Sequence, residues 1–427
     1  MTPGLYRAAS TLLTPLLRLY LRHRRIIGKE HPTRYPERWG VPGQDRPEGR
    51  LVWMHGASVG EALSLLPLVE RVLAALPETH VLVTTGTVTS AKLLEDRLPA
   101  RALHQFVPVD RPGGVTSFLE HWRPDLALWA ESEFWPILVT ETAARGTPLV
   151  LINGRVSARS YKGWRRFPGL IGPVLGCFRL CLAQTETDAE RLGALGAGAV
   201  EVPGNIKFAV PPLPASADDL AVLRGIVGER PLWLAASTHP GEEAIAWRVH
   251  RNLAAHPDLL TIVVPRHPER GAEVAAELAT LGARVSRRVA GEDLEPATEV
   301  YIADTLGELG LFFRLAPIVF MGKSLAADGG QNPLEPARLG CAIVYGPRMS
   351  NFVDMAERLE AADASLRVDN DSGLSDAVES LLQDADRRQA MGERAQRFAE
   401  GESQVIDRVM AALEPFLTPL GTPEKPS

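Results

Sequence analysis

Cysteine is scarce, with 3 residues in a chain of 427. Cys177, Cys181 and Cys341 cannot build a disulfide framework for so long a chain. They also lack CxxC spacing and neighbouring His pairs, so no structural zinc site is expected and a reducing compartment is the plain inference. A surplus of basic charge is missing too. Against 52 Asp+Glu there are 46 Lys+Arg, a net charge of −6, which makes the chain a poor candidate for a general nucleic-acid binder. Neither GxxxxGK[ST] nor GxGxxG occurs, so ATPase and dinucleotide-binding readings lose their main support. No tandem repeat of short period is present. No apolar run reaches the about 20 residues of a membrane span: the longest near the amino terminus, Ala8–Leu21, is interrupted by Pro15 and Arg18.

What is present is an ordinary globular composition, 45% hydrophobic and 23% charged, with 37 Gly and 34 Pro scattered as turn punctuation. The length favours two domains and a large buried core. The first forty residues depart from the average. They hold eight Lys/Arg against Glu30 and Glu37, so this segment is +6 inside a −6 protein. The basic cluster follows the apolar run, the reverse of a signal peptide. The expectation is an amphipathic helix in a membrane interface with Arg22–Arg25 on anionic headgroups, on the cytoplasmic face. A surface helix docked on its own domain is the alternative.

From Arg50 onward, short apolar runs alternate with helical patterns. Leu51–Met54, His80–Thr84, Leu103–Val107, Asp125–Ala130, Leu149–Ile152 and Leu180–Ala183 read as buried strands, with helices between them such as the one carrying Leu63, Leu66, Val69, Val72 and Leu73. Continuous apolar strands separated by helices imply a parallel sheet covered on both faces. The segment 209–217 has three prolines and no periodicity, as a linker would. The rhythm then restarts with Pro231–Ala236, Leu259–Val264, Glu299–Ala303, Pro317–Met321 and Ala342–Tyr345. Two doubly wound α/β domains facing across a cleft are expected, with chemistry in the strand-to-helix loops.

Those loops are polar. Met54–Glu61 (MHGASVGE) follows the first strand; Gly56 and Gly60 permit a tight turn, and Glu61 opens the next helix. Glu61 reads either as a helix N-terminal charge or as a general base. Gly56–Gly60 also fits the G-x-S-x-G nucleophile elbow around Ser58, but the elbow follows the first clear strand and no Asp-then-His order stands out downstream, so hydrolysis is discounted. Glu131 and Glu133 sit at the next strand end in ESEFWP, a pair suited to a sugar hydroxyl or helix start. Arg155 and Arg159 follow in NGRVSARS, suited to carboxylate or phosphate, and Lys207 lies in GNIKF, read as a further strand end. In the second half, Ser237 and Thr238 in STHPGEE form a plausible phosphate cradle. Arg266 and His267 stand at a strand end, DTLGEL follows another, and Glu335 in GGQNPLEP could accept both ribose hydroxyls.

Taken in order from Val52 to about Tyr345, HGASVGE, ESEFWP, NGRVSARS, AQTETDAERLGALGA, GNIKF, STHPGEE, PRHPER, DTLGELGLFF and GGQNPLEPA resemble the bacterial Kdo transferases, which attach 3-deoxy-D-manno-octulosonic acid to a lipid A precursor. The resemblance implies a GT-B fold of two Rossmann-like domains, CMP-Kdo as donor, inversion at the anomeric carbon, and neither metal nor cofactor. It also implies attachment to the cytoplasmic side of the inner membrane. By it, Glu61 would be the general base, and Glu131 and Lys207 would stabilise the transition state. Lys207 is expected beside Glu61. Ser237, Thr238, Arg266, His267, Leu306, Gly307, Glu308, Asn332, Pro333, Leu334 and Glu335 would line the CMP site. Ser58, Gly60, Glu133, Arg155 and Arg159 are candidates for the acceptor or the Kdo carboxylate. Gly154, Asn205 and Ile206 depart from the residues expected in these motifs but leave the charged positions in place.

The expected division is a membrane-associated segment 1–40, an acceptor domain 41–208, a linker 209–217, a CMP-sugar domain 218–417 and a tail 418–427. The stretch from about Glu402 to Leu417 is also open to reading as a helix that crosses back to the first domain. The partners implied are CMP-Kdo, the lipid A precursor lipid IVA and the inner-membrane surface, with no nucleic acid. Within the same fold class, a UDP-sugar transferase or epimerase is the alternative. Outside it stands a non-catalytic membrane-surface nucleotide-sugar binder.

Overall fold

The computed structural model describes residues 1–209, 212–292 and 294–421. The chain divides into two compact units, Met1–Val210 with Glu402–Ser427, and Pro211–Gly401.

The first unit is built on seven strands: β1 (Arg50–His55), β2 (Thr79–Thr85), β3 (Ala102–Phe106), β4 (Leu126–Ala130), β5 (Leu149–Gly154), β6 (Leu180–Ala183) and β7 (Val200–Glu201). They pair in parallel in the order β3-β2-β1-β4-β5-β6-β7. A strand that is apolar at every position has two faces to bury, and β1 shows how. Leu51 and Trp53 enter one core with Phe118 and Trp129, while Val52 and Met54 enter the other with Leu65 and Leu68. The order reverses between β1 and β4, which is where an open parallel sheet forms its ligand crevice.

The second unit repeats the plan with β8 (Leu232–Thr238), β9 (Leu260–Pro265), β10 (Val285–Arg287), β11 (Val300–Ile302), β12 (Ile318–Met321), β13 (Ala342–Tyr345) and β14 (Ser365–Arg367). Its order is β10-β11-β9-β8-β12-β13-β14, all parallel, so the reversal lies between β8 and β12. The loops there are packed backbone to backbone: a Cβ on Gly322 would stand 2.5 Å from the Ser237 carbonyl oxygen. The sequence pattern anticipates the long central strands. It misses β7, β10 and β14, whose two or three residues are too few to show a period.

The amino terminus forms two helices rather than one, α1 (Pro3–Leu12) and α2 (Thr14–Ile26). Thr2 caps α1, and Pro15 stands in the first turn of α2, where a missing N–H costs nothing. Tyr6 packs against the first unit's core and Leu21 is fully buried, so the pair is docked on its own unit. Leu12, Leu16 and Leu19 nevertheless remain exposed, Leu12 at 81%. Among the described residues no helix is long and apolar enough to cross a membrane.

The second unit ends at Gly401 rather than at 417. Helix Val405–Leu417 carries Val405, Val409, Leu413 and Leu417 on one stripe, and that stripe completes the first unit's core beside Leu65 and Leu68, as the crossing-back reading anticipates. Of the expected tail, Thr418–Leu420 is a 3₁₀ turn, while 422–427 lie outside the described residues. Of the expected linker, 210 and 211 lie outside them as well, and the helix beginning at Ala217 is capped by Ser216.

Candidate functional site

In the first unit the reversal between β1 and β4 brings together three carboxylates from two loops. Glu61 belongs to the first turn of α3 (Val59–Ala75), whose N-cap is Ser58. The Ser58 hydroxyl donates to Glu61 Oε1 at 2.7 Å, the Ala57 N–H donates to Glu61 Oε2 at 2.7 Å, and the Glu61 N–H donates back to Ser58 Oγ at 3.3 Å. This is a close variant of the capping box, with the carboxylate reaching the Ser58 hydroxyl and the N–H one residue before the N-cap, and it is the reason S-x-x-E begins a helix here. It also orients the carboxylate, which is 8% exposed. Ser58 is thus committed to Glu61, which removes the support for a nucleophile elbow. Gly56 is fitted closely: a Cβ would meet Glu61 and Leu65 at 3.1 Å. Gly60 faces open space, with room for a ligand to approach its backbone.

Glu131 ends β4 in the left-handed region, at φ 58°, an uncommon conformation for a side chain of this size. Its N–H donates to the Ile152 carbonyl at 3.0 Å, and its carboxylate forms an ion pair with the Lys207 ammonium. Lys207 is thus the ion-pair partner of Glu131, and it stands not at a strand end but on a 3₁₀ turn, Ile206–Phe208, that packs against α3, the helix of Glu61. Asn153, at φ 53° near the end of β5, is what positions that turn. Its Oδ1 accepts the Ile206 N–H at 3.0 Å, while the Gln184 side-chain amide donates to its carbonyl at 3.1 Å and receives Asn205 Nδ2 at 3.1 Å. One polar chain thereby fixes the ends of β5 and β6 and the Lys207 turn.

Glu133 closes the cluster. Burial pushes its carboxyl above the usual range, and the charges of Glu61 and then Glu131 push the same way. The Trp135 indole N–H, donating to Oε2 at 2.8 Å, pulls it back. Beneath the cluster, His55 is fully buried with Nδ1 2.9 Å from Thr84 Oγ1 and its ring 4.6 Å from that of Trp129. Burial pushes its imidazole down to about 3. Arg155, on the loop after β5, and Arg159, in the first turn of the helix Ala158–Trp164 that follows, are exposed, without an ion pair among the described residues. That loop is pinned by the Val156 N–H donating to Asp188 Oδ1 at 2.7 Å.

In the second unit the reversal between β8 and β12 is organised by a buried acid to which the sequence reading gives no role of its own within STHPGEE. Glu242 is fully buried and accepts the N–H groups of His239 (3.0 Å), Lys323 (2.6 Å), Ser324 (3.0 Å) and Leu325 (3.1 Å). It clasps the loop after β12 to the loop after β8. Glu243 accepts Thr238 Oγ1 at 3.0 Å and Arg270 Nη1 at 2.8 Å. Ser237 adopts φ 54°. Arg266 and His267 are exposed at the end of β9, with the Arg266 N–H bonded to the Thr238 carbonyl at 3.0 Å and the His267 ring 6.1 Å from His239.

Glu335 lies mostly out of solvent, and burial pushes its carboxyl up, while Asn332, Arg338 and Arg266 pull it down. Asn332 Nδ2 donates to it at 3.4 Å, and Asn332 Oδ1 accepts the Leu334 N–H at 3.2 Å. Leu334 itself is fully buried, so its side chain belongs to the core, and Pro333 caps the short helix it begins. Glu308 is gripped by Arg288 (2.6 and 2.5 Å) and by the Thr305 hydroxyl, which hold its carboxyl below the usual range. Gly307 turns at φ 83° and leaves Leu306 85% exposed beside a groove of about 780 Å³ that Arg288, Asp304 and Thr305 also line. Arg288 follows a three-residue strand, so no sequence period could mark it.

Chemically, the first unit offers an oriented carboxylate, a carboxylate–ammonium pair and a third carboxyl with raised proton affinity. The second offers Arg266, the half-buried Ser237 and backbone N–H groups of the kind that hold phosphates, whereas the Thr238 hydroxyl of the expected cradle is fully buried and committed to Glu243, so only its backbone is left for a ligand.

Comparison with known proteins adds the family. The 3-deoxy-D-manno-octulosonic-acid transferase (kdotransferase) family matches residues 33–210. A 3-deoxy-D-manno-octulosonic acid transferase from Rickettsia bellii is 34% identical, over 96% of this chain and 99% of its own. One from Bordetella pertussis is 35% identical, over 98% and 100%. Among solved structures, a putative UDP-N-acetylglucosamine 2-epimerase from Listeria monocytogenes aligns over 87% of this chain and 97% of its own, with TM-score 0.58 and 16% identity, a likeness of fold alone.

Proposed function

The chain belongs to the 3-deoxy-D-manno-octulosonic acid (Kdo) transferase family, and from that premise we propose that it is an inverting GT-B glycosyltransferase moving Kdo from CMP-Kdo to a lipid A precursor, lipid IVA. The observation that carries the reading to the residues is the cluster of Glu61, Glu131, Glu133 and Lys207 at the β1/β4 reversal.

In the displacement, the acceptor hydroxyl oxygen bonds to the anomeric carbon of Kdo as the bond from that carbon to the CMP phosphate oxygen breaks. The proton passes from the hydroxyl to Glu61, and CMP leaves with the electron pair. A base must be aimed as well as present, and the two hydrogen bonds from Ala57 and Ser58 aim this one. Lys207 supplies a fixed cation against the negative charge of the Kdo carboxylate and the departing phosphate, with Glu131 holding its ammonium in place. Arg155 and Arg159 are suited to the acceptor's phosphates, because each presents a planar fork of donors. In the second unit, Ser237, Thr238, Arg266, His267 and the segments Leu306–Glu308 and Asn332–Glu335 take the CMP moiety. The basic amino-terminal helices support a place at the cytoplasmic side of the inner membrane.

The test is the mass of a tetraacylated lipid A precursor after incubation with the purified protein and CMP-Kdo generated in the same tube. A gain of one or more Kdo residues is expected. An unchanged lipid beside a folded protein that binds CMP would refute this acceptor.

A further inference from the structure

A groove of about 550 Å³ lies wholly within the first unit, between α1, α2 and the carboxyl edge of the sheet. Ala9, Leu13, Leu17 and Tyr20 form its helical wall, and Val107, Val109 and Trp135 form its sheet-side wall. Its volume falls within the about 300–1,000 Å³ of small-molecule sites.

Two features identify an occupant. The first is where the groove leads. Ala57, Gly86 and Thr87 also line it, the Gly86 N–H donates to the Ala57 carbonyl at 3.2 Å, and the Ala57 N–H holds the Glu61 carboxylate at 2.7 Å. The groove is thus continuous with the turn that orients the proposed base. The second is the charge around it. The two acids of the first forty residues, Glu30 and Glu37, are 4% and 3% exposed and are consumed by Arg24 and Arg34 at 2.8 and 2.7 Å. Arg18, Arg22, Arg25 and Lys29 are left as exposed cations on and just beyond α2. Asp110, Arg24 and Arg38 also line the groove, but Asp110 is turned to the backbone N–H groups of Ile137 and Leu138, so a mostly apolar channel lies beneath exposed cations of α2, complementary to an amphiphile with an anionic head.

We propose that this groove seats one acyl chain of the glycolipid acceptor, a role that rests on the transferase reading above. The chain would lie along Leu13 and Leu17 and bring its sugar toward Glu61. α1 and α2 would then measure the acceptor as well as meet the membrane. Bulk phospholipid could satisfy the charge, but only the acceptor needs the end of the groove that touches the base.

The experiment uses the full-length protein and two synthetic phosphorylated glucosamine-disaccharide acceptors, one with long and one with short acyl chains. Ala9→Trp fills the groove from α1, where Ala9 is only partly covered. The expected result is a rise of about tenfold or more in the KM for the long-chain acceptor. The KM for the short-chain acceptor, the kcat and the KM for CMP-Kdo should be unchanged. Leu17→Asn should reproduce the effect by making the wall polar instead of filling the space. Equal KM values in variant and wild type, or equal losses on both acceptors, would overturn the proposal. If the wild type accepts only the long chain, a variant that raises that KM alone supports the proposal and one that does not overturns it. Failure of the wild type on both acceptors would overturn the transferase reading and the groove's role with it.

Discussion

The Lys207 ammonium is ion-paired with the Glu131 carboxylate, although the two residues leave different elements of the first unit 76 positions apart in the chain, one from the end of β4 and one from a 3₁₀ turn beyond β7. Each makes the other useful. Glu131 fixes the cation, and the cation keeps a largely buried carboxylate from standing unpaired. Lys207→Met and Glu131→Asn, the latter chosen because Asn tolerates positive φ, should each lower kcat by about 100-fold or more. The double variant should be little worse than either single one. Additive losses in this cycle would show that the two act separately.

Glu133 carries a pH signature. Its proton affinity in the folded protein is raised above the ordinary carboxylate value, by burial first and by Glu61 next. A raised folded pKa contributes stability below the unfolded value and loses it as pH rises through the folded value. Glu133→Gln should therefore raise Tm at pH 7 and change it less at pH 4. The check is calorimetry at the two pH values, and an equal shift at both would contradict this electrostatic cause.

His55 works in the opposite direction. Its imidazole is pushed down to about 3 by burial, so below about pH 6.5 the unfolded chain takes a proton that the folded one refuses. His104, also pushed down to about 3, behaves alike. Stability should fall by about 1.4 kcal/mol per pH unit for each histidine between roughly pH 6 and 3. Denaturant titrations of His55→Gln should show the slope reduced by one proton.

Glu242 should be the costly acid of the second unit. Glu242→Ala leaves the buried N–H groups of Ser324 and Leu325 without their acceptor, and each such group costs about 1–3 kcal/mol. A loss of about 3 kcal/mol or more is expected in denaturant unfolding, with weaker CMP binding at temperatures where the variant stays folded. Wild-type stability would show that the clasp contributes little.

The central architecture is legible in the sequence because buried parallel strands are apolar at every position, and the runs around Trp53 and Trp129 leave no other reading. The polar loops after them are legible as sites for the same reason of contrast. What escapes is whatever depends on distant pairing. The pairing of Lys207 with Glu131 is decided by Asn153, whose side chain anchors the turn 53 residues later. Glu242 carries no signal of its own in STHPGEE, and its role emerges only when five backbone N–H groups converge on it. The return of helix Val405–Leu417 to the first unit is visible only as an apolar stripe, which does not name the surface that covers it.

The assignment of Glu61 as the base is tested most directly by Glu61→Gln, comparing its transfer rate with wild type while CMP affinity is followed by calorimetry. A fall in rate of about 100- to 10,000-fold with CMP affinity unchanged is the expected result. A rate within a few-fold of wild type, or a loss of CMP binding equal to the loss of rate, would contradict it.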